Sequence, residues 1–213
     1  MYFNFCGSNS NKKKFFLINI PLFPLKLVLL PYEKLPLHIF EPRYKKMISN
    51  SLDHGDPFGI VLRNQNEIHS IGCSVEITKV FKKYPNGEYD LMVQGKDLFN
   101  ILKTDRKMDT IFGEIDYIES PMPIKDKELI KLQESYLKVL IRFGKEINIE
   151  RHLDFNISYQ FIKKIQLPLR LKKKILEIPS ENERVAFIQN IFNNILSDSS
   201  ENNNTINNFI PEA

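Results

Sequence analysis

Ile71-Gly72-Cys73-Ser74-Val75-Glu76-Ile77-Thr78 places apolar residues at every second position, the pattern of a strand with one buried face. The phase slips at Lys79-Val80, which predicts a bulge in a long strand. Pro85-Asn86-Gly87 follows, and its Asn-Gly pair tolerates the positive φ of a tight turn. Tyr89, Leu91 and Val93 resume the alternation, so residues 70–95 read as a β-hairpin.

Further strands are expected at 57–63, 97–103 and 111–118, with a buried strand entering the core from Phe15. Many short strands separated by turn residues mean a barrel or sandwich rather than a doubly wound sheet. One helix interrupts them. Pro42 suits a first helical turn, where its missing N–H costs nothing. Tyr44, Met47, Ile48 and Leu52 then share a face, and Gly55 is the stop. After Pro121 and Pro123 the period becomes helical. Leu129, Leu132, Tyr136, Leu140 and Phe143 form one stripe, and Ile157, Phe161, Ile162 and Ile165 a second. Leu167-Pro168 breaks the chain before a short helix carrying Leu171, Ile175 and Leu176. Ser180 to Glu183 is a capping box that opens a last helix bearing Val185, Ile188, Phe192 and Ile195. The expected organisation is a disordered leader at 1–14, a β lobe with one helix at 15–120, a helical lobe at 121–197 and a disordered, Ser/Asn-rich tail at 198–213.

The chain has 213 residues, 42% of them hydrophobic and 26% charged, an ordinary globular balance. A chain of this size buries about 70% of its extended surface, so it needs neither metal nor disulfide staples. Cys6 and Cys73 cannot form a disulfide framework, and no Cys/His cluster has zinc spacing. The formal charge of +4 is too mild to name a polyanion as partner. Lys12 to Lys14 precede an apolar run that superficially resembles a signal peptide, but Pro21, Pro24 and Lys26 interrupt it. It also falls short of the ~20 apolar residues that span a bilayer. A cytoplasmic protein with reduced thiols and no membrane partner is expected.

Phosphate-binding, nucleophile-elbow, zinc-protease and dinucleotide signatures are absent: Gly95-Lys96 is followed by Asp97 and Gly144-Lys145 by Glu146. His38, His54, His69 and His152 are scattered, with no carboxylate or thiol partner in sequence. His38 reads as a solvent-facing strand residue and Cys73 as a small, inert core residue. No catalytic residue, metal or cofactor is expected. Lys163, Lys164, Arg170, Lys172, Lys173 and Lys174 form a basic stretch with no acid between Phe155 and Leu176. It reads either as a phosphate-reading cluster or as a solvated face, and the absence of an aromatic RNA signature favours the face.

The most distinctive segment is punctuated by proline: Ile20-Pro21-Leu22-Phe23-Pro24-Leu25, Val28-Leu29-Leu30-Pro31, then Leu35-Pro36-Leu37-His38-Ile39-Phe40-Glu41-Pro42-Arg43-Tyr44. Prolines hold the chain in extended edge conformations, leaving apolar surface that is either core or a groove for extended polypeptide. Phe23, Leu30, Pro31, Tyr32 and Leu35 are the candidate contacts, with Lys26, Glu33 and Lys34 interleaved and expected to keep the stretch partly exposed. Glu41 and Arg43 are read as an ion pair pinning the helix start to the barrel.

The run from Ile20 to Met47, with its Leu-Phe-Pro-Leu opening and its Glu-Pro-Arg-Tyr segment, closely resembles the N-terminal, substrate-binding domain of the Lon proteases. Phe58 to Val61, Ile71 to Cys73, Leu167 to Leu169, Lys173, Ile175 to Glu177 and Glu183 to Val185 extend the resemblance over about residues 15–196. The resemblance implies an α+β protein, a PUA-like pseudobarrel followed by a helical bundle, that engages unfolded or tagged polypeptides, with a protease or chaperone as a further partner. Glu41, Pro42, Arg43 and Tyr44 are its family motif, in a structural role. The ATPase motif is missing, so a LON domain without ATPase or peptidase domains is expected, and proteolysis does not carry over. The alternative is an RNA-binding protein that uses the same fold and the basic helices; a hydrolase with a site invisible in sequence comes third.

Overall fold

The computed structural model describes residues 18–65, 67–144 and 152–197. The leader and tail expected at 1–14 and 198–213, and Cys6, lie outside the described residues. The elements are β1 (Ile18–Leu25), β2 (Lys34–Ile39), α1 (Pro42–His54), β3 (Phe58–Asn64), β4 (Glu67–Lys83), β5 (Tyr89–Lys107) and β6 (Thr110–Tyr117). They are followed by α2 (Asp126–Arg142), a 3-10 turn (Ser158–Phe161), α3 (Leu169–Glu177) and α4 (Glu181–Ser197).

Six strands lie in the order β2-β5-β4-β3-β1-β6, and β6 also pairs with β5, so five of them close into a barrel. Closure removes the free edges that an open sheet would expose. Only β1 and β3 run parallel, and the crossover between them carries β2 and α1. The fold is α+β, a PUA-like pseudobarrel with a helical lobe. The hairpin of β4 and β5 turns at Tyr84 to Glu88, and its register shifts between Ile77 and Lys79 and again between Val80 and Lys82, where the slip in phase placed a bulge.

Residues 97–103 are not a separate strand, as the sequence suggested, but the continuation of β5. The ladder breaks opposite Ser74, whose hydroxyl donates to the Asp97 carbonyl and accepts from the Asp97 N–H, each at 3.1 Å. A side chain thus bridges the gap, and the strand runs on. Inside the barrel Phe99 is fully buried against Gly59 and Gly72; a Cβ at either would stand 2.5 or 2.4 Å from its ring. Absent side chains at both glycines make room for one large ring.

Pro42 opens α1, and Gly55 closes it at φ 74, with its N–H donating to the Ser51 carbonyl at 3.0 Å. Tyr44, Met47 and Ile48 are buried, but Leu52 is exposed, because the apolar cluster beneath the helix stops at Ile48.

In the helical lobe, Leu132, Tyr136, Val139 and Leu140 of α2 pack in one core with Ile188 and Phe192 of α4. The same core includes Val28, Leu30, Leu62, Cys73 and Leu98, so barrel and helices bury one continuous apolar mass. The helix expected over 157–165 is only the single 3-10 turn. Gln160 Oε1 accepts the N–H groups of Asn156 and Ile157 at 2.8 and 3.0 Å, and Glu181 Oε1 accepts that of Ser158 at 2.6 Å. These side chains cap the first N–H groups of the turn, and beyond it the backbone makes only isolated short-turn bonds, Ile162 N–H to the Tyr159 carbonyl and Ile165 N–H to the Ile162 carbonyl, so the apolar stripe is buried by an irregular chain.

Candidate functional site

The segment joining β1 to β2 lines two depressions. The first is a cleft of about 250 Å³ between the barrel and the helices. Ile71, Leu98 and Ile118 line it from the barrel, Leu176, Ile178 and Tyr159 from the helical lobe, and the joining segment adds Pro31 and Tyr32. Lys96, Asp97, Asn100, Glu119, Ser120, Glu177 and Arg184 supply its polar groups.

Tyr32 has φ 67, a left-handed conformation that L side chains avoid. Such strain costs of order 1–3 kcal/mol and persists only where the surroundings over-determine it. Here its N–H donates to the Gly95 carbonyl and the Gly95 N–H donates to the Glu33 carbonyl, both at 2.9 Å. Gly95 is required for this approach, since a Cβ there would lie 2.4 Å from the Leu30 oxygen. The segment therefore lies flat on β5 and keeps the Tyr32 side chain 38% exposed at the cleft.

Glu33, expected to face solvent, is buried. Its carboxylate accepts the Leu30 N–H at 3.0 Å and the Lys172 ammonium at 2.7 and 2.9 Å, tying the segment to α3. Desolvation pushes its carboxyl above the ordinary range, with Lys172 opposing. The helical wall is braced by Arg184, only 3% exposed. Its guanidinium donates to Ser158 Oγ at 3.0 Å, to Glu181 Oε2 at 2.6 Å and to the Ile178 carbonyl, and stacks 4.4 Å from the Tyr159 ring. Burial pushes the Tyr159 hydroxyl up to about 12, with the neighbouring Arg184 opposing.

Of the five proposed polypeptide contacts, the structure brings Pro31 and Tyr32 to the cleft and withdraws the others. Phe23 and Leu30 are core residues at 7% and 0% exposure. Pro31 is itself largely buried, and Leu35 lies in β2, half-buried, facing the second depression. The prolines order the segment by packing it down, so most of its apolar side chains serve stability. The Glu41 and Arg43 side chains do pair, at 2.6 Å, and Arg43 also donates to the Asp109 carbonyl of the β5–β6 turn at 3.1 Å. Arg43 stacks on Tyr44, which packs on Phe23, so the motif fastens α1 to the barrel.

The second depression, about 370 Å³, lies between the joining segment and the start of α3. Lys163, Lys164 and Lys172 line it, joined by Lys26 and Lys34, which the sequence reading had not grouped with them. Arg170 and Lys174 are exposed outside it, and Lys173 faces Glu177 at 3.8 Å. The continuous basic stretch is therefore divided among different surroundings.

Two histidines gain partners only in three dimensions. His38 Nδ1 meets Asp90 Oδ1 at 2.7 Å, and His69 Nε2 meets Glu177 Oε1 at 3.1 Å. Neither hydrogen-bonds to a Ser or Cys side chain among the described residues. Cys73 is 1% exposed, and burial pushes its thiol far above its ordinary range, so it is inert. Among the described residues no cluster of His, Cys, Asp and Glu is placed to hold a metal, and no helix is long and apolar enough to cross a membrane.

Glu33 and Gly95 escaped the sequence reading. Gly95 had a signal, since a glycine within an alternating strand marks a close backbone approach. Glu33 had none, because its partner lies 139 residues away.

A closed barrel sharing its core and a cleft with a helical lobe defines a PUA-like, two-lobed class of protein. The family model of the ATP-dependent protease La (LON) substrate-binding domain matches residues 19–194, and the chain belongs to that family. Two solved structures are similar. The Lon N-terminal domain protein from Xanthomonas campestris is 20% identical at a TM-score of 0.63, over 81% of this chain and 97% of that one. The N-terminal domain of the Mycobacterium avium complex Lon protease is 15% identical at a TM-score of 0.66, over 86% of this chain and 100% of that one. At such identities the likeness is one of fold.

Proposed function

We propose that this chain is a non-catalytic polypeptide-binding module that receives an extended segment of an unfolded or tagged protein in the cleft between barrel and helices, working in the cytoplasm beside a protease or chaperone. Membership of a substrate-binding family supports the class of ligand. One observation carries the location: Tyr32 is held in a left-handed conformation by Gly95 so that its ring stays exposed at an apolar cleft. Strain of that kind, spent on presenting an aromatic side chain, fits recognition better than packing. The lobes at 15–120 and 121–197 are proposed as its two walls.

The test is fluorescence anisotropy with a labelled, alkylated and permanently unfolded polypeptide. Tyr32→Ser should weaken binding by about 1–3 kcal/mol, the range of an interface hot spot. Its melting temperature should hold, since the Tyr32 side chain is exposed and Ser keeps the same Cβ and backbone conformation. Unchanged binding by a folded Tyr32→Ser variant would move the site away from the cleft.

A further inference from the structure

The lysine-lined depression next to the cleft has no counter-charge of its own except at one place. Lys172 is neutralised by Glu33, at 2.7 Å. Lys26, Lys34, Lys163 and Lys164 have no carboxylate within ion-pair distance among the described residues. Among the described residues Glu33 is the only acidic one that lines this groove. The four free ammonium groups come from two distant parts of the chain, the segment before β2 and the stretch before α3. Folding brings them together against repulsion. Lys163 shows the strain: burial and the charges of Lys164 and Lys34 hold its ammonium below the ordinary range, and it rests 4.2 Å over the Phe155 ring.

The groove is not purely cationic. Leu27 and Leu35, both half-buried, and the exposed Leu169 line it between the lysines. A ligand that satisfies both features must carry several negative charges and apolar groups alternating with them. A nucleic acid meets the first requirement only, since among the described residues no aromatic ring lines the groove to stack a base and no arginine lines it to fork onto a base edge. Lysines are compact point charges that suit carboxylates of an extended chain equally well. We propose that the groove selects acidic, leucine-containing polypeptide segments, extending the recognition surface of the cleft and setting which clients the module prefers. This inference rests on the proposed polypeptide-binding function and names its substrate class.

Complementary charge acts chiefly on partner choice and association rate, so the effect should be selective and salt-sensitive. The experiment compares, by anisotropy at low salt, a labelled peptide of repeating Leu-Glu-Ser, its Leu-Gln-Ser counterpart and an oligouridylate of equal length. The acidic peptide should bind about tenfold more tightly than the amide peptide, as several exposed charge pairs together allow. The fourfold variant Lys26→Gln, Lys34→Gln, Lys163→Gln, Lys164→Gln should bring the acidic peptide down to the level of the amide peptide, leave the latter unchanged, and keep or raise the melting temperature, since it removes the mutual repulsion. Lys172 is left intact, because Glu33 depends on it. Equal binding of the two peptides, or an acidic preference that survives in the folded fourfold variant, overturns the proposal and leaves polypeptide binding standing. Binding of neither peptide overturns both. Tighter binding of the oligouridylate than of the acidic peptide assigns the groove to RNA and overturns the proposal as well.

Discussion

In the barrel the backbone polar groups of neighbouring strands pair in long ladders, whereas between His152 and Pro168 isolated backbone turns share that work with side chains. The barrel ladder is interrupted opposite Ser74, and a single hydroxyl repairs it. The irregular stretch of the helical lobe instead depends on its own Gln160 and on Glu181 and Arg184 reaching in from α4. The two regions share one apolar core, so their apolar burial is alike and their polar bookkeeping is not. A repetitive ladder loses little when one group is changed. A network of three or four buried polar groups loses most of its members at once.

The largest effect should follow from breaking that network. Arg184→Ala leaves the Glu181 carboxylate and Ser158 facing each other without their cation, and removing one partner of a buried pair costs about 3–5 kcal/mol. Urea denaturation measures it. A loss under about 1 kcal/mol would mean that apolar packing alone holds residues 152–168. The barrel should respond to volume instead. Gly72→Ala drives a Cβ to 2.4 Å from the Phe99 ring and 2.7 Å from Val61, an overpacking worth about 1–3 kcal/mol. Adding Phe99→Leu should recover part of that loss, a coupling that double-mutant thermal melts will resolve.

The Glu33–Lys172 pair joins the two regions and sharpens the comparison further. Lys172 is partly exposed, so Lys172→Met should cost less than Arg184→Ala, about 1–2 kcal/mol, chiefly by stranding the Glu33 carboxylate. Glu33→Gln in the same chain should restore much of it. The smallest effect is on pH. The folded-state pKa of Glu33 is raised, so the folded chain binds a proton where the unfolded chain does not. Its contribution is then full below the unfolded value near 4.5 and is lost as pH rises through the folded value. Relative to Glu33→Gln, the wild type should gain melting temperature between neutral pH and about pH 5. A parallel course of the two melting curves would show that Lys172 cancels the desolvation.

Most of the barrel was legible because strand burial writes itself into alternation. Ile71 to Val93 announced both arms of the hairpin, its turn and its bulge, and the Asn86-Gly87 pair marked where the chain reverses. The end of α1 was legible at Gly55 for the same local reason. The second helical stripe misled, since Ile157, Phe161, Ile162 and Ile165 have helical spacing yet are buried by a chain that Gln160 and Glu181 cap at its start and that then makes only isolated backbone turns. Spacing records which residues are buried; it does not record which acceptors the backbone finds. The candidate contacts divided similarly. Pro31 and Tyr32 reach the cleft, while Phe23 and Leu30 do not, because a row of apolar residues looks the same whether it faces a core or a groove.

The sequence by itself determined the family, the α+β class, the barrel strands and the structural part of the Glu41-Pro42-Arg43-Tyr44 motif. Each of these rests on neighbours within a few residues, or on a pattern that every member of one face must share. The tertiary structure alone decided that Glu33 is buried on Lys172, that Gly95 holds Tyr32 in its strained pose, and that Lys26 and Lys34 stand beside Lys163 and Lys164. Those pairings join residues far apart along the chain, and a contact closed by folding leaves no local periodicity for either partner to display.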